Sequence, residues 1–163
     1  MNRVWTAIVL AGIGTYAMRA SFLVFAHRLD DVPPRVQRLL RQIPPAALAV
    51  GSSELIEEVS TGKITGEEDR YSGTDLWDFA ANVEGSKQGF TLLTPAIGEQ
   101  DPDLVTTIDG LFAELESQLG TYREGTGYEP YSALTEPDKT RMQTTLAELS
   151  ENLASVAGVL GLD

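Results

Sequence analysis

The chain has 163 residues, no cysteine, one histidine and a formal net charge of −12. The missing thiols exclude disulfides, cysteine nucleophiles, zinc–thiolate sites and a lipidated N-terminal cysteine, and the lone His27 excludes a metal centre built from several histidines. Six arginines against two aspartates give residues 1–50 a charge of +4, while residues 51–163 carry −16, a surface that repels phosphate backbones and excludes nucleic acid as a partner.

From Val4 to Ala26 the sequence VWTAIVLAGIGTYAMRASFLVFA is nearly apolar and has the ~20-residue length of a bilayer crossing. It is read as a transmembrane helix over 4–26, in which Arg19 must snorkel, find a partner or face another helix. Ala11, Gly12, Gly14, Ala17 and Ala20 would allow close helix contact. A cleaved signal peptide is the alternative, but only Arg3 precedes the apolar run and no clean cleavage site follows it. Arg28, Arg35, Arg38 and Arg41 come after the span, so the positive-inside rule places everything downstream in the cytoplasm.

Two diprolines, Pro33-Pro34 and Pro44-Pro45, bracket RVQRLLRQI. This is a short basic amphipathic helix with Val36, Leu39, Leu40 and Ile43 on one face, suited to a membrane surface or to a plain linker. TYAMRASFLVF and the paired motif Pro33, Pro34, Arg35, Val36, Ile43, Pro44, Pro45 and Ala46 resemble the start of the AzlD family, membrane partners in branched-chain amino-acid export. The resemblance covers about residues 4–50 and implies an accessory transporter subunit. The family's later membrane spans have no counterpart, because no apolar run of ~18 residues follows Val50.

A helix is expected from Pro45 to Val59, closed by Gly62, with a change of character at Gly51 from AALAV to SSELIEEVSTGK. That shift is taken as the boundary between a membrane segment, 1–50, and a helical bundle, 51–163. Next comes ITGEEDRYSGTDLWDFAANVEG, residues 64–85, with Glu67, Glu68, Asp69, Asp75 and Asp78 within a dozen residues. Such carboxylates repel one another unless solvated, paired with cations such as Arg70, or bound to a metal. Glu67, Glu68, Asp69 and Asp75 are the candidate metal ligands, hard oxygen donors matched to Fe(III), Ca²⁺ or Mg²⁺. The alternative is structural: an Asp69–Arg70 ion pair, and Asp75 stabilising the start of the following helix.

That helix is expected from Thr74 or Asp75 to about Leu93, with Leu76, Phe79, Ala80, Val83, Phe90 and Leu93 in its stripe and Thr94-Pro95 as its stop. Trp77 and Phe79 are assigned to the core, and Gly85 and Gly89 to close helix contact. Asp101-Pro102 opens the next helix, with Leu104, Val105, Ile108, Leu111, Phe112, Leu115 and Leu119 on one face. Residues 123–134 are a glycine- and tyrosine-bearing loop, and Thr135-Glu-Pro-Asp138 begins a last helix striped by Met142, Leu146, Leu149, Leu153, Val156 and Leu160. The fold class is therefore all-α: an N-terminal transmembrane helix, then an up-down bundle without strands.

KITGEEDRYS-x-TDLWDF-x-AN, followed by YREGTGY and YSALTEPDK, resembles the imelysin-like domain of EfeO, the extracytoplasmic component of an iron-uptake system. The resemblance spans about residues 51–160, read as the C-terminal half of that domain. It implies iron as the cation and an iron-uptake or transporter subunit as partner. It also implies a function impaired by loss of the half that carries the family's HxxE motif, which His27-Arg28-Leu29-Asp30 approaches only in spacing. Gly73 stands where the family usually has histidine. No nucleophile–base arrangement is visible, so the chain is read as a non-enzyme despite the family's classing with peptidases.

Two functions follow: a membrane-tethered module of iron uptake, or an AzlD-like export subunit with the bundle as passenger. An incomplete product with neither activity is the third reading. Topology sets the first two against each other, since the iron-uptake family implies an extracytoplasmic bundle and the arginines imply a cytoplasmic one. Half a domain would also leave an apolar face at Leu111, Leu115, Leu146 or Leu149 open to self-association.

Overall fold

A computed structural model describes residues 43–66 and 71–162. The chain divides into two units, 1–42 and 43–163, and the second contains every described residue. The span expected over 4–26 and the acids Glu67, Glu68 and Asp69 lie outside the described residues. Among the described residues no helix is long and apolar enough to cross a membrane.

Four helices make the unit: α1 (Pro45–Thr61), α2 (Asp75–Gln100), α3 (Pro102–Gly120) and α4 (Glu136–Val159). Pro45 begins α1 at the first turn, where a missing N–H costs nothing, and Gly62 closes it by donating its N–H to the Glu58 carbonyl at 2.8 Å. The helix passes through Gly51 without interruption and buries both Ala49 and Ser52. At α3, Asp101 accepts from the Leu104 N–H at 2.9 Å, the N-cap its sequence promises. Thr135 caps α4 in the same way, with Pro137 in the first turn.

The expected stop at Thr94-Pro95 is wrong: α2 continues through Pro95 to Gln100. Proline cannot donate to the Thr91 carbonyl, but both residues lie on the exposed face, where water can take that carbonyl. On the inner face Leu93 and Ile97 are buried one turn apart, and their burial holds the helix together across the proline.

The helices meet in a ring, α1 on α2, α2 on α3, α3 on α4 and α4 back on α1. Close pairs run in opposite senses along neighbouring helices: Gly85 and Gly89 face Leu55 and Ser52, Lys87 pairs with Glu116 at 2.7 Å while Phe90 meets Phe112, and Gln118 bonds Thr145 at 3.0 Å while Tyr122 bonds Asp138 at 2.6 Å. The bundle is thus up-down, as expected. Gly89 lets α1 approach, since a Cβ there would stand 2.3 Å from Ser52 Oγ. Phe79, Phe90, Phe112, Ile56, Leu115, Leu146 and Leu149 are among the fully buried side chains. Each such side chain contributes about 1.5–3 kcal/mol. The open apolar face anticipated at Leu115, Leu146 and Leu149 does not exist, because the α3 and α4 stripes bury one another; Leu111 is half-buried.

One further expectation fails. Residues 123–128 form a two-stranded antiparallel hairpin, β1 (Arg123–Glu124) and β2 (Gly127–Tyr128), pairing Arg123 with Tyr128 and Glu124 with Gly127. Gly125, at φ +58°, supplies the left-handed residue a two-residue hairpin turn needs.

Candidate carboxylate loop and its clasp

Both long connections, 62–74 and 121–135, lie at the same end of the bundle, where α1 and α3 finish and α2 and α4 begin. The other end of the α2–α3 pair is closed by Asp101 alone. This end therefore carries the loop of the candidate ligands.

The first connection leaves α1 through Gly62 and forms a single 3₁₀ turn, Lys63–Thr65, with Ile64 buried beneath it. Gly66 follows at φ +71° and Gly73 at φ +66°, left-handed conformations that glycine adopts without strain. Between them stand the acids and then Tyr71, which is fully exposed. Thr74 starts α2, its carbonyl accepting from the Trp77 N–H at 2.9 Å.

Of the four predicted ligands, Asp75 is the one described. It is the first residue of α2, buried to 1 % exposure. The unsatisfied N–H groups and positive dipole end of a helix favour a carboxylate there. Asp78, one turn on, faces Lys63 with Nζ 3.9 Å from its Oδ2. Glu67, Glu68 and Asp69 lie outside the described residues, and among the described residues no group of three or more His, Asp or Glu side chains is disposed to hold a metal.

The second connection packs on the start of α2 and on the described parts of the first. Trp77, assigned to the core by its spacing, is half-buried and serves instead as a bracket for the hairpin. Its Nε1–H donates to the Tyr128 carbonyl at 3.3 Å, and the two rings meet edge-on with centroids 6.2 Å apart. Gly127 lies against the indole so closely that a Cβ would stand 1.7 Å from Trp77 Cζ2. Phe79, by contrast, is fully buried as expected.

Tyr131 is the residue that joins the two connections. Its N–H donates to the Gly73 carbonyl at 2.9 Å and its hydroxyl to the Ile64 carbonyl at 2.7 Å. Its ring covers Gly66, where a Cβ would come within 2.2 Å of Cε1. One residue therefore ties Ile64 and Gly66 on one side of the acids to Gly73 on the other, by its side chain and its backbone respectively. Lys139 Nζ sits 4.8 Å from the Tyr131 ring centroid and bonds Glu136 at 2.8 Å, and hydrogen bonding to Glu136 and then Tyr131 raises the ammonium above its ordinary range. Behind it, the Tyr122 hydroxyl donates to Asp138 Oδ2 at 2.6 Å, and the Thr135 hydroxyl donates to the same oxygen. These bonds, Thr135 first, lower the Asp138 carboxyl, while burial and the bond to Asp138 raise Tyr122.

Glu67, Glu68 and Asp69 stand out by composition in the sequence. The clasp does not, although Gly127, Tyr128 and Tyr131 sit in the glycine- and tyrosine-bearing stretch that marked a loop of unusual composition.

Fold and site together define the class: an antiparallel four-helix module that displays a clasped, acid-rich loop at one end. The chain belongs to the imelysin family, Peptidase_M75, whose pattern matches residues 26–156. It is 44 % identical over 133 residues to "Iron uptake system component EfeO" of Escherichia coli strain K12, and equally so to the proteins of that name in Shigella flexneri and Shigella sonnei. The aligned stretch is 82 % of this chain and 35 % of each relative. The family match opens at residue 26 and takes in both diprolines, the segment on which the AzlD resemblance rested, and the comparisons bring that resemblance no support. His27-Arg28-Leu29-Asp30 falls inside the same match.

Proposed function

We propose that this chain is a cation-binding helical module of an iron-uptake component, with Fe(III) as cargo held by carboxylates of the 67–75 loop. The observation that carries the reading is the 44 % identity to EfeO proteins across 82 % of the chain. The donor set agrees with it: Glu67, Glu68, Asp69 and Asp75 are oxygen ligands of the kind hard trivalent and divalent cations require. The partner in this reading is another subunit of the uptake system, and residues 4–26 tether the module to a membrane.

A metal titration of the full chain tests it, following melting temperature with Fe(III) citrate, Ca²⁺ and Mg²⁺. A ligand that binds the folded state stabilises it by about 2.7 kcal/mol at a hundredfold excess over the dissociation constant. The reading expects a saturable shift selective for iron and lost in Glu68→Gln/Asp69→Asn. Equal, weak shifts from all three ions, or none, would leave the acids a structural feature and remove iron binding from this loop.

A further inference from the structure

We propose that the groove between α1 and α2 is a docking site for a basic amphipathic helix of a partner polypeptide. The groove lies open along one side of the bundle, with a volume of about 370 Å³. Ala47, Gly51, Glu54 and Glu58 line it from α1, spaced four, three and four residues apart, so one helix face runs along it for roughly 16 Å. Gly85 and Gly89 line it from α2. Glycine at three of these positions keeps the floor low, and another helix can seat its side chains against the backbone there. The length matches about three turns of a bound helix, the way amphipathic helices lie in apolar grooves.

The two ends differ in chemistry. Toward the start of α1 the border is apolar: Ile43 and Leu92 are 37 % and 40 % exposed, and Leu92 extends the row that Gly85 and Gly89 form on α2. A partner that covers them removes both from water. Toward the end of α1 the border is acidic. Glu54 and Glu58 are exposed and one turn apart, an unfavourable like-charge pair on a helix. Neither helix supplies a counter-charge: α1 contains no lysine or arginine, and Lys87, the one such residue of α2, pairs with Glu116 of α3. The complementary occupant is an α-helix with an apolar face and with lysine or arginine where it passes Glu54 and Glu58. The groove uses none of the loop's carboxylates, so helix binding and iron binding stand or fall separately.

The test is fluorescence anisotropy with the full chain and a labelled four-turn peptide, leucine and alanine on one face and lysine on the other, beside its counterpart with glutamate for lysine. The lysine peptide is expected to bind and the glutamate peptide to stay free. Gly51→Leu fixes the location. A Cβ at 51 meets nothing within 4 Å, so leucine fills the groove without disturbing α1, and its higher helix propensity keeps the melting temperature at or above the parent's. It is expected to weaken binding of the lysine peptide by about tenfold or more. Glu54→Gln/Glu58→Gln is expected to weaken it about three- to tenfold. Glu148→Gln/Glu151→Gln, an exposed acidic pair on α4, is expected to leave it unchanged.

Unaltered binding in Gly51→Leu overturns the proposal, and so does absence of binding to the wild type. Equal losses from the α1 and α4 acid pairs overturn it too, since they would mean general attraction to an acidic surface. A wild-type dimer in sedimentation that Gly51→Leu converts to monomer assigns the groove to a second copy of this chain and overturns the partner helix.

Discussion

Gly127→Ala is a one-methyl change whose cost follows from a single contact. The added Cβ would stand 1.7 Å from Trp77 Cζ2 and 2.4 Å from Cη2. Neither is the far end of a flexible chain; both belong to a rigid indole half-buried between α2 and the hairpin. Either the ring leaves its seat or the hairpin lifts, and both moves break the Trp77 Nε1–H bond to the Tyr128 carbonyl. Overpacking of this kind costs about 1–3 kcal/mol and the hydrogen bond about 1 kcal/mol more. For a unit of this size, roughly 3–5 °C of melting temperature accompanies each kcal/mol, so the transition falls by about 6–20 °C. The assay is thermal unfolding followed by tryptophan emission in a Trp5→Phe background, so that Trp77 alone reports. The variant's emission is expected to shift to the red at 20 °C as the indole gains solvent. A melting temperature within about 2 °C of the parent, with unchanged emission, would refute the seating of Trp77 against Gly127.

Leu146→Ala removes a fully buried side chain where α4 faces α3, and a loss of about 2–5 kcal/mol by urea unfolding is expected. Pro95→Ala runs the other way. Alanine restores an N–H to the Thr91 carbonyl on an exposed helical face, a gain of up to ~3 kcal/mol, offset by ~1 kcal/mol of unfolded-state entropy. A higher melting temperature is expected, and a lower one would contradict the account of α2. Asp138→Asn tests linkage. The Asp138 carboxyl is lowered by Thr135 and Tyr122, so its stabilisation is present above the ordinary carboxylate value and lost as pH falls through the lowered one. The melting gap between wild type and Asp138→Asn is therefore expected to be full at pH 7 and to shrink below about pH 4. A gap independent of pH would exclude the carboxylate as its source.

Local signals were legible and long-range ones were not. Asp101 and Thr135 declare helix starts because a cap bonds its own helix three residues on. The α3 and α4 stripes declare a buried face because helical period alone brings their residues together. Pro95 misled because proline's local penalty is real but smaller than the burial of Leu93 and Ile97 on either side of it. The hairpin escaped notice because strands of two residues have no period, and what holds them is Trp77, some fifty residues upstream. Tyr131 is likewise an ordinary tyrosine in the sequence until the fold lays it on Gly66.

Three of the described carboxylates at this end already have cations beside them. The N-termini of α2 and α4 both point here, and their first turns carry Asp75, Asp78, Glu136 and Asp138. Helix dipoles favour these carboxylates, and cations already face three of them: Lys63 at Asp78, Lys139 at Glu136 and Arg141 at Asp138. Each is exposed enough that the pairing is worth little in stability, yet it neutralises the charge a metal would seek. Residues 67–70 are different in sequence, three acids beside one arginine, a surplus of two negative charges on four residues. In the proposed reading that surplus is what an iron ion would neutralise.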